Sequence, residues 1–239
     1  MGKKIKAGGI KDGEKLLEML SKHPSTARFI STKLARRFVS DDPPPELVAR
    51  MAKTFEKTGG DIRAVMQTMI YSPEFWSRQA YRAKVKTPFE LVASTARALG
   101  ADVDQPIRLV QWTGQIGEPL YECLPPTGYK DTADVWVNTG ALLNRLNFAM
   151  RLSGNKIPGT RVELGALVGA DVGTNAQLAL ERAVQEFLAG QLSPQSRTIL
   201  EKRLDDPQIL HATLDDPVKE VDLGIVTGLV LGSPEFQRR

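Results

Sequence analysis

Apolar residues along this chain recur every three or four positions and rarely alternate. From Ala27 through Ile30 and Leu34 to Phe38, and again from Leu47 through Met51 to Phe55, they fall at helical steps. Such spacing lays one stripe along a 3.6-residue helix and predicts amphipathic helices led by Pro24 and by the proline run at 43–45. Proline is tolerated in a first turn because its missing N–H has no intrahelical partner there. Asp42 precedes the second segment as its expected cap, and the Asp-Asp-Pro device recurs at 205–207 and 215–217. A carboxylate before a helix start accepts orphan N–H groups and suits the positive end of the dipole. These pairs therefore read as caps rather than as a calcium site or an acid/base pair.

Ile62 to Tyr71 and Val221 to Leu231 are helix-like apolar runs, and each is followed by Ser-Pro-Glu-Phe, at 72–75 and at 233–236. Proline disfavours helical geometry in the residue before it. The pattern predicts a corner between two helices: Ser72 and Ser233 stop one helix and cap the next, which Pro73 and Pro234 begin. Glu74 and Glu235 add negative charge to its first turn, and Phe75 and Phe236 fold back onto the apolar run. Four matching residues do not separate an old duplication from convergence.

The predicted fold is all-α, an irregular multi-helix array with a long Gly/Pro/aromatic connection in its middle. With 239 residues, 41% of them hydrophobic, the chain can bury a full core as a single domain over 1–239 or as two packed halves, 1–155 and 156–239. The longest uncharged apolar stretch, Leu223 to Pro234, has 12 residues. A membrane span needs roughly 18 to 20, so none is expected. Met1 to Ile5 lacks the apolar core of a secretory signal, which leaves the compartment open. Cys123 is the sole cysteine and His23 and His211 are the only histidines. A Cys/His zinc site is thus not expected, nor is any other metal or cofactor.

The net charge of +4 is unevenly spread: residues 1–40 hold ten Lys/Arg against three Asp/Glu. Between Lys22 and Arg37 five cations occur with no acid, so Arg28, Lys33, Arg36 and Arg37 are candidates for holding an anion such as nucleic acid. A solvated helix face is the plainer reading. Aromatics for base stacking are sparse here, and Phe29 and Phe38 are spaced for a core, so a nucleic-acid partner is not favoured.

Gln111 to Met150 differs in texture, with Trp112, Tyr121, Tyr129 and Trp136 set among glycines, amides and the Pro125-Pro126 pair. Gly114 and Gly117 permit close backbone approach, Trp112, Tyr129 and Trp136 offer stacking faces, and Gln115, Asn138, Asn144, Arg145 and Asn147 offer hydrogen bonds. Arg145 adds a planar fork for a carboxylate or carbonyl. This segment is expected to form the main groove or partner-facing feature. The competing reading makes the indoles pins for a long connection and the amides helix caps.

Five segments carry a resemblance in their order along the chain: "HPSTARFISTKLARRFVSDDPPPELVARMAKTF", "TGGDIRAVMQTMIYSPEFW", "KVKTPFELVASTARALGA", "GQIGEPLYECLPPTGYKDTADVWVNTGALLNRLNFA" and the closing "GSPEFQRR". Together they resemble the carboxyl-terminal half of the bacterial family catalogued as domain of unknown function 1800. The resemblance implies a largely helical protein, typically longer and often exported, with no established activity and no catalytic residues to carry over. Where the family commonly has Gly-Trp after the proline-rich segment, this chain has Gly128-Tyr129.

No nucleophile elbow, phosphate-cradling loop, His-Glu-x-x-His or dinucleotide fingerprint occurs. The glycines of "GALVGADVG", 165–173, recur every four residues and suit close helix packing or a loop. Cys123 lacks a His partner in sequence, His23 is expected to face outward or cap, and His211 to pack. Three classes of function follow. The preferred one is a non-catalytic helical domain that binds or scaffolds a protein or glycan partner, or the amino-terminal half of a longer chain. The second is a hydrolase whose site lies in 111–147, with Glu118, Glu122, Asp131 or Asp134 contributing. The third is polyanion binding through 22–37.

Overall fold

Ten α-helices and one antiparallel pair of two-residue strands are the main regular structure of the computed structural model, which describes residues 5, 8–204 and 221–239. The all-α expectation holds. The Asp-Asp-Pro segments at 205–207 and 215–217 and His211 lie outside the described residues. The chain divides into two units, Met1–Lys84 and Val85–Arg239. Position 155 falls within the second of these, because helices on both sides of it share one core.

The first unit comprises α1 (Ile10–Ser21), α2 (Pro24–Phe38), α3 (Pro45–Thr58) and α4 (Ile62–Ile70). Leu47, Met51 and Phe55 of α3 are buried as their spacing requires, against Ala27 and Ala35 of α2 and Val65 and Met69 of α4. On α2 the inward face is rotated from the expected one. Ala27, Ser31 and Ala35 are buried, whereas Phe29 and Phe38 are 58% and 44% exposed. Small residues let α3 approach closely, and this displaces the phenylalanines from the core. His23 caps α2, its Nδ1 accepting from the Ser25 N–H at 3.1 Å. Asp42 does not cap α3. That helix starts at Pro45 from an N-cap at Pro44, with no side-chain cap, because consecutive prolines fix an extended entry beyond the reach of Asp42. α1 buries no residue.

The second unit contains α5 (Pro88–Ala98), β1 (Asp102–Val103), α6 (Pro106–Ile116), α7 (Thr139–Ser153), β2 (Thr160–Arg161), α8 (Ala176–Leu188), α9 (Pro194–Leu204) and α10 (Leu223–Leu231). α10 runs through its centre. Gly224, Gly228 and Gly232 form a smooth face against α7. A Cβ on Gly228 would lie 2.8 Å from Met150 Cα, and one on Gly224 would lie 3.0 Å from Gly154 Cα. The Ser153 hydroxyl donates to the Gly224 carbonyl at 2.7 Å across this contact. The glycines at 165–173 occupy a π-helical turn and a short 3-10 turn rather than a long packing helix.

Both Ser-Pro-Glu-Phe segments follow a nine-residue helix capped by aspartate. Asp61 accepts from the Ala64 N–H and Asp222 from the Ile225 N–H, and a single residue, Tyr71 or Gly232, separates each helix from its serine. The expectation of a second helix after each serine is corrected: a string of turns follows. Ser72 Oγ donates to the Met69 carbonyl and accepts from the Phe75 N–H, satisfying groups a continuing helix would have used. Phe236 is buried in the core and Phe75 packs against that of the first unit. Glu74 pairs with Arg50 of α3 at 2.6 Å, while Glu235 accepts from the Ser193 N–H and the Ser196 hydroxyl at the start of α9. In each unit the glutamate ties the corner to the preceding long helix rather than charging a new one.

Candidate ligand-binding site

α6 and α7 lie side by side in the second unit, and their junction is built from three local devices. Asn138 caps α7 by accepting from the Ala141 N–H at 2.9 Å. Asn144 Nδ2, on the same helix, donates to the Gln115 carbonyl of α6 at 2.8 Å. Trp112 of α6 rests on buried Phe148 of α7, with ring centroids 5.6 Å apart. The third partner is the loop after α7. β1 pairs with β2, and the Gly159 carbonyl accepts from the N–H groups of Asp104 and Gln105. Gly159 has φ +73°, and a Cβ there would sit 2.4 Å from Gln105 Cβ, so glycine is required for this approach. The pairing brings the segment at Lys156 beside the first turn of α6.

The result is a surface trough of about 480 Å³. Half-buried Trp112 presents its indole there between the amides of Gln111, Gln115 and Asn147. Arg108, Arg151 and Lys156 stand around it, all exposed. A second depression of about 390 Å³ shares Asn147, Arg151 and Lys156 and runs on past Gly154 to Asp222 and Gly224 of α10. Asp222 is occupied as the α10 cap. No carboxylate lines the Trp112 depression among the described residues.

Of the residues singled out in the sequence, Trp112, Gln115 and Asn147 meet in this trough. Gly114 of α6 faces Pro119, beyond the helix end, at ordinary contact distance, and Gly117 caps that helix with φ +121°. Tyr129 and Trp136 are instead parts of a clamp for the long connection. The Tyr129 hydroxyl donates to the Pro119 carbonyl at 2.8 Å, and its ring lies 5.9 Å from that of Trp136, which is only 3% exposed. Burial of the Tyr129 phenol raises its pKa.

Arg145 is corrected more strongly: it is fully buried and serves the fold. Nη2 donates to the Lys86 carbonyl at 2.8 Å and Nη1 to Gln237 Oε1 at 3.4 Å. Desolvation lowers its pKa to about 10, with the Glu118 carboxylate acting in the opposite direction, so it remains a cation at neutral pH. Arg108, Arg151 and Lys156 were not legible as site residues, because strand pairing and helix packing alone bring them together.

The other candidates are dispersed. On α2, Arg28, Lys33, Arg36 and Arg37 fan over roughly 180° of the helix at 100° per residue. Arg36 Nε is engaged with the Asp41 carbonyl at 3.0 Å, and Arg37 has a partner of its own. Glu118 accepts from the Phe89 N–H on α5. A hydrogen bond from Thr132 holds the Asp134 carboxyl below the usual range. Neither acid lines the trough. Among the described residues no group of three or more His, Cys, Asp or Glu is arranged to hold a metal, and no helix is long and apolar enough to cross a membrane.

No curated protein and no solved structure matches the chain. The family model described as protein of unknown function (DUF1800) matches residues 1–238, and the chain belongs to that family.

Proposed function

We propose that this protein is a non-catalytic binding domain and that its partner is a glycan, held in the trough on α6 and α7. The observation that carries this reading is the half-exposed Trp112 indole set in a concavity among Gln111, Gln115 and Asn147. An indole face stacks on the apolar face of a pyranose ring. Neighbouring amides both donate and accept, which matches hydroxyl groups. A protein partner would be met better by an apolar groove, and this lining is mainly polar and charged. The hydrolase reading draws less support, since glycoside hydrolysis uses a facing pair of carboxylates.

The two depressions share a wall, so the trough suits a chain of several sugar units better than a single one. Affinity electrophoresis of the full chain through gels containing soluble polysaccharides tests the proposal. Retardation is expected on at least one of them, with loss of retardation for Trp112→Ala and partial retention for Trp112→Phe. Unretarded migration through neutral and acidic polysaccharides alike overturns it.

A further inference from the structure

Resting on the reading of the trough as a glycan site, we infer that the glycan is acidic, bearing carboxylate or sulfate groups that Arg108, Arg151 and Lys156 receive. Three cations surround one indole, and no acid lines the Trp112 depression among the described residues. None of the three forms an ion pair with a described residue. Helix electrostatics accounts for only one of the three placements. Arg151, in the last turn of α7, does suit the negative end of that helix. Arg108 lies in the first turn of α6, the positive end, where a cation is disfavoured. Its Nη1 donates a long hydrogen bond of 3.3 Å to Gln111 Oε1, the next amide on the trough wall. Lys156 lies beyond the end of α7, and its N–H donates to the Arg151 carbonyl at 2.7 Å, a turn that keeps both side chains at one edge.

An acidic polysaccharide answers the elements around Trp112, while Asp222 at the far end of the second depression is occupied as the α10 cap. The polymer's rings meet the indole, its hydroxyls meet the three amides, and its regularly spaced anions meet Arg108 in the first depression and Arg151 and Lys156 on the wall that both depressions share. A nucleic acid would also satisfy the cations. A single half-buried indole, however, offers one stacking place rather than the succession of aromatic platforms that a single strand uses.

The test measures binding of the full chain to polygalacturonate and alginate (carboxylate only), to dextran sulfate and heparin (sulfate-bearing), to neutral dextran and pullulan, and to single-stranded DNA. The wild-type protein is expected to bind the carboxylate or the sulfate polymers in a salt-sensitive manner, and which pair it prefers identifies the anion. Arg108→Gln/Arg151→Gln/Lys156→Gln, all at exposed positions, is expected to weaken that binding about tenfold or more at unchanged melting temperature. Arg28→Gln/Lys33→Gln/Arg36→Gln on α2 is expected to leave it unchanged. Equal binding of neutral polymers with no effect of the trough variant overturns the acidic ligand while leaving a glycan site standing. Binding to no polysaccharide overturns both, and preference for DNA, or loss through the α2 variant, overturns the glycan assignment at this trough.

Discussion

Arg145 Nη2 donates to the main-chain carbonyl of Lys86, 59 residues away in sequence, at 2.8 Å from within the interior. The same guanidinium touches Gln237, whose carbonyl accepts from the Lys86 N–H and whose Nε2 donates to the Gly232 carbonyl. Val85 bridges to Arg238, and Lys86 Nζ lies 3.7 Å from the centroid of the Phe236 ring. The first and last segments of the second unit are thus joined over one buried cation. Arg145→Ala leaves the Lys86 carbonyl without this donor and opens a cavity, so a loss of about 2 to 5 kcal/mol is expected in urea unfolding. Arg145→Lys, which keeps the charge but replaces the planar fork with one ammonium, is expected to lose less than Arg145→Ala.

Trp112 is half-buried and Trp136 buried, so truncating each separates the proposed binding role from a structural one. Trp136→Ala is expected to lower stability by about 3 to 5 kcal/mol, the range for a buried large aromatic. Trp112→Ala should cost less, because its ring is half exposed, while abolishing retardation on the polysaccharide that the wild type binds. Paired thermal melts and affinity gels check both outcomes.

Glu235 provides a pH-dependent contribution. Burial draws its pKa upward, but hydrogen bonds from Ser193 and Ser196 outweigh that and hold it below its ordinary 4.5. Folding therefore favours the carboxylate. Its contribution is complete above the unfolded-state pKa and fades as pH falls through the lower folded-state value. Glu235→Gln is expected to lose about 0.5 to 1 kcal/mol at pH 7, after allowance for solvent screening. The difference from wild type should narrow between pH 5 and pH 3, as read in urea midpoints across roughly that range.

Gly228 sits where α10 meets α7, and a methyl group there would come within 2.8 Å of Met150 Cα. Main chain cannot yield as a flexible side-chain end does. Gly228→Ala is expected to destabilise the second unit by about 1 to 3 kcal/mol despite the better helix propensity of alanine. A stability gain would show that the two helices separate at little cost.

Helical steps and proline punctuation determined the class of this protein before any packing was known, because both act within a few residues of chain. The stripe of Leu47, Met51 and Phe55 came through intact, as did the position of each corner at Ser-Pro-Glu-Phe. What followed those corners did not. A serine and proline can end a helix locally, but whether a new helix starts depends on where Glu74 and Glu235 find partners, and these lie on α3 and at the start of α9. The same limit governed α2, where the close approach of a neighbour rather than spacing turned Phe29 and Phe38 outward.

Composition nominated Trp112, Gln115 and Asn147, which the fold brings to the proposed trough, since aromatic and amide side chains advertise contact wherever they lie. Composition could not assign Trp136 to a clamp or Arg145 to the interior, because an exposed and a buried guanidinium look alike in a string of letters. Residue type alone nominated Trp112, Gln115 and Asn147 and passed over Arg108, Arg151 and Lys156. Only the tertiary structure decided which of them do share a surface, through the β1–β2 pairing and the α6–α7 contact that bring Arg108, Arg151 and Lys156 together across separations that no periodic pattern spans.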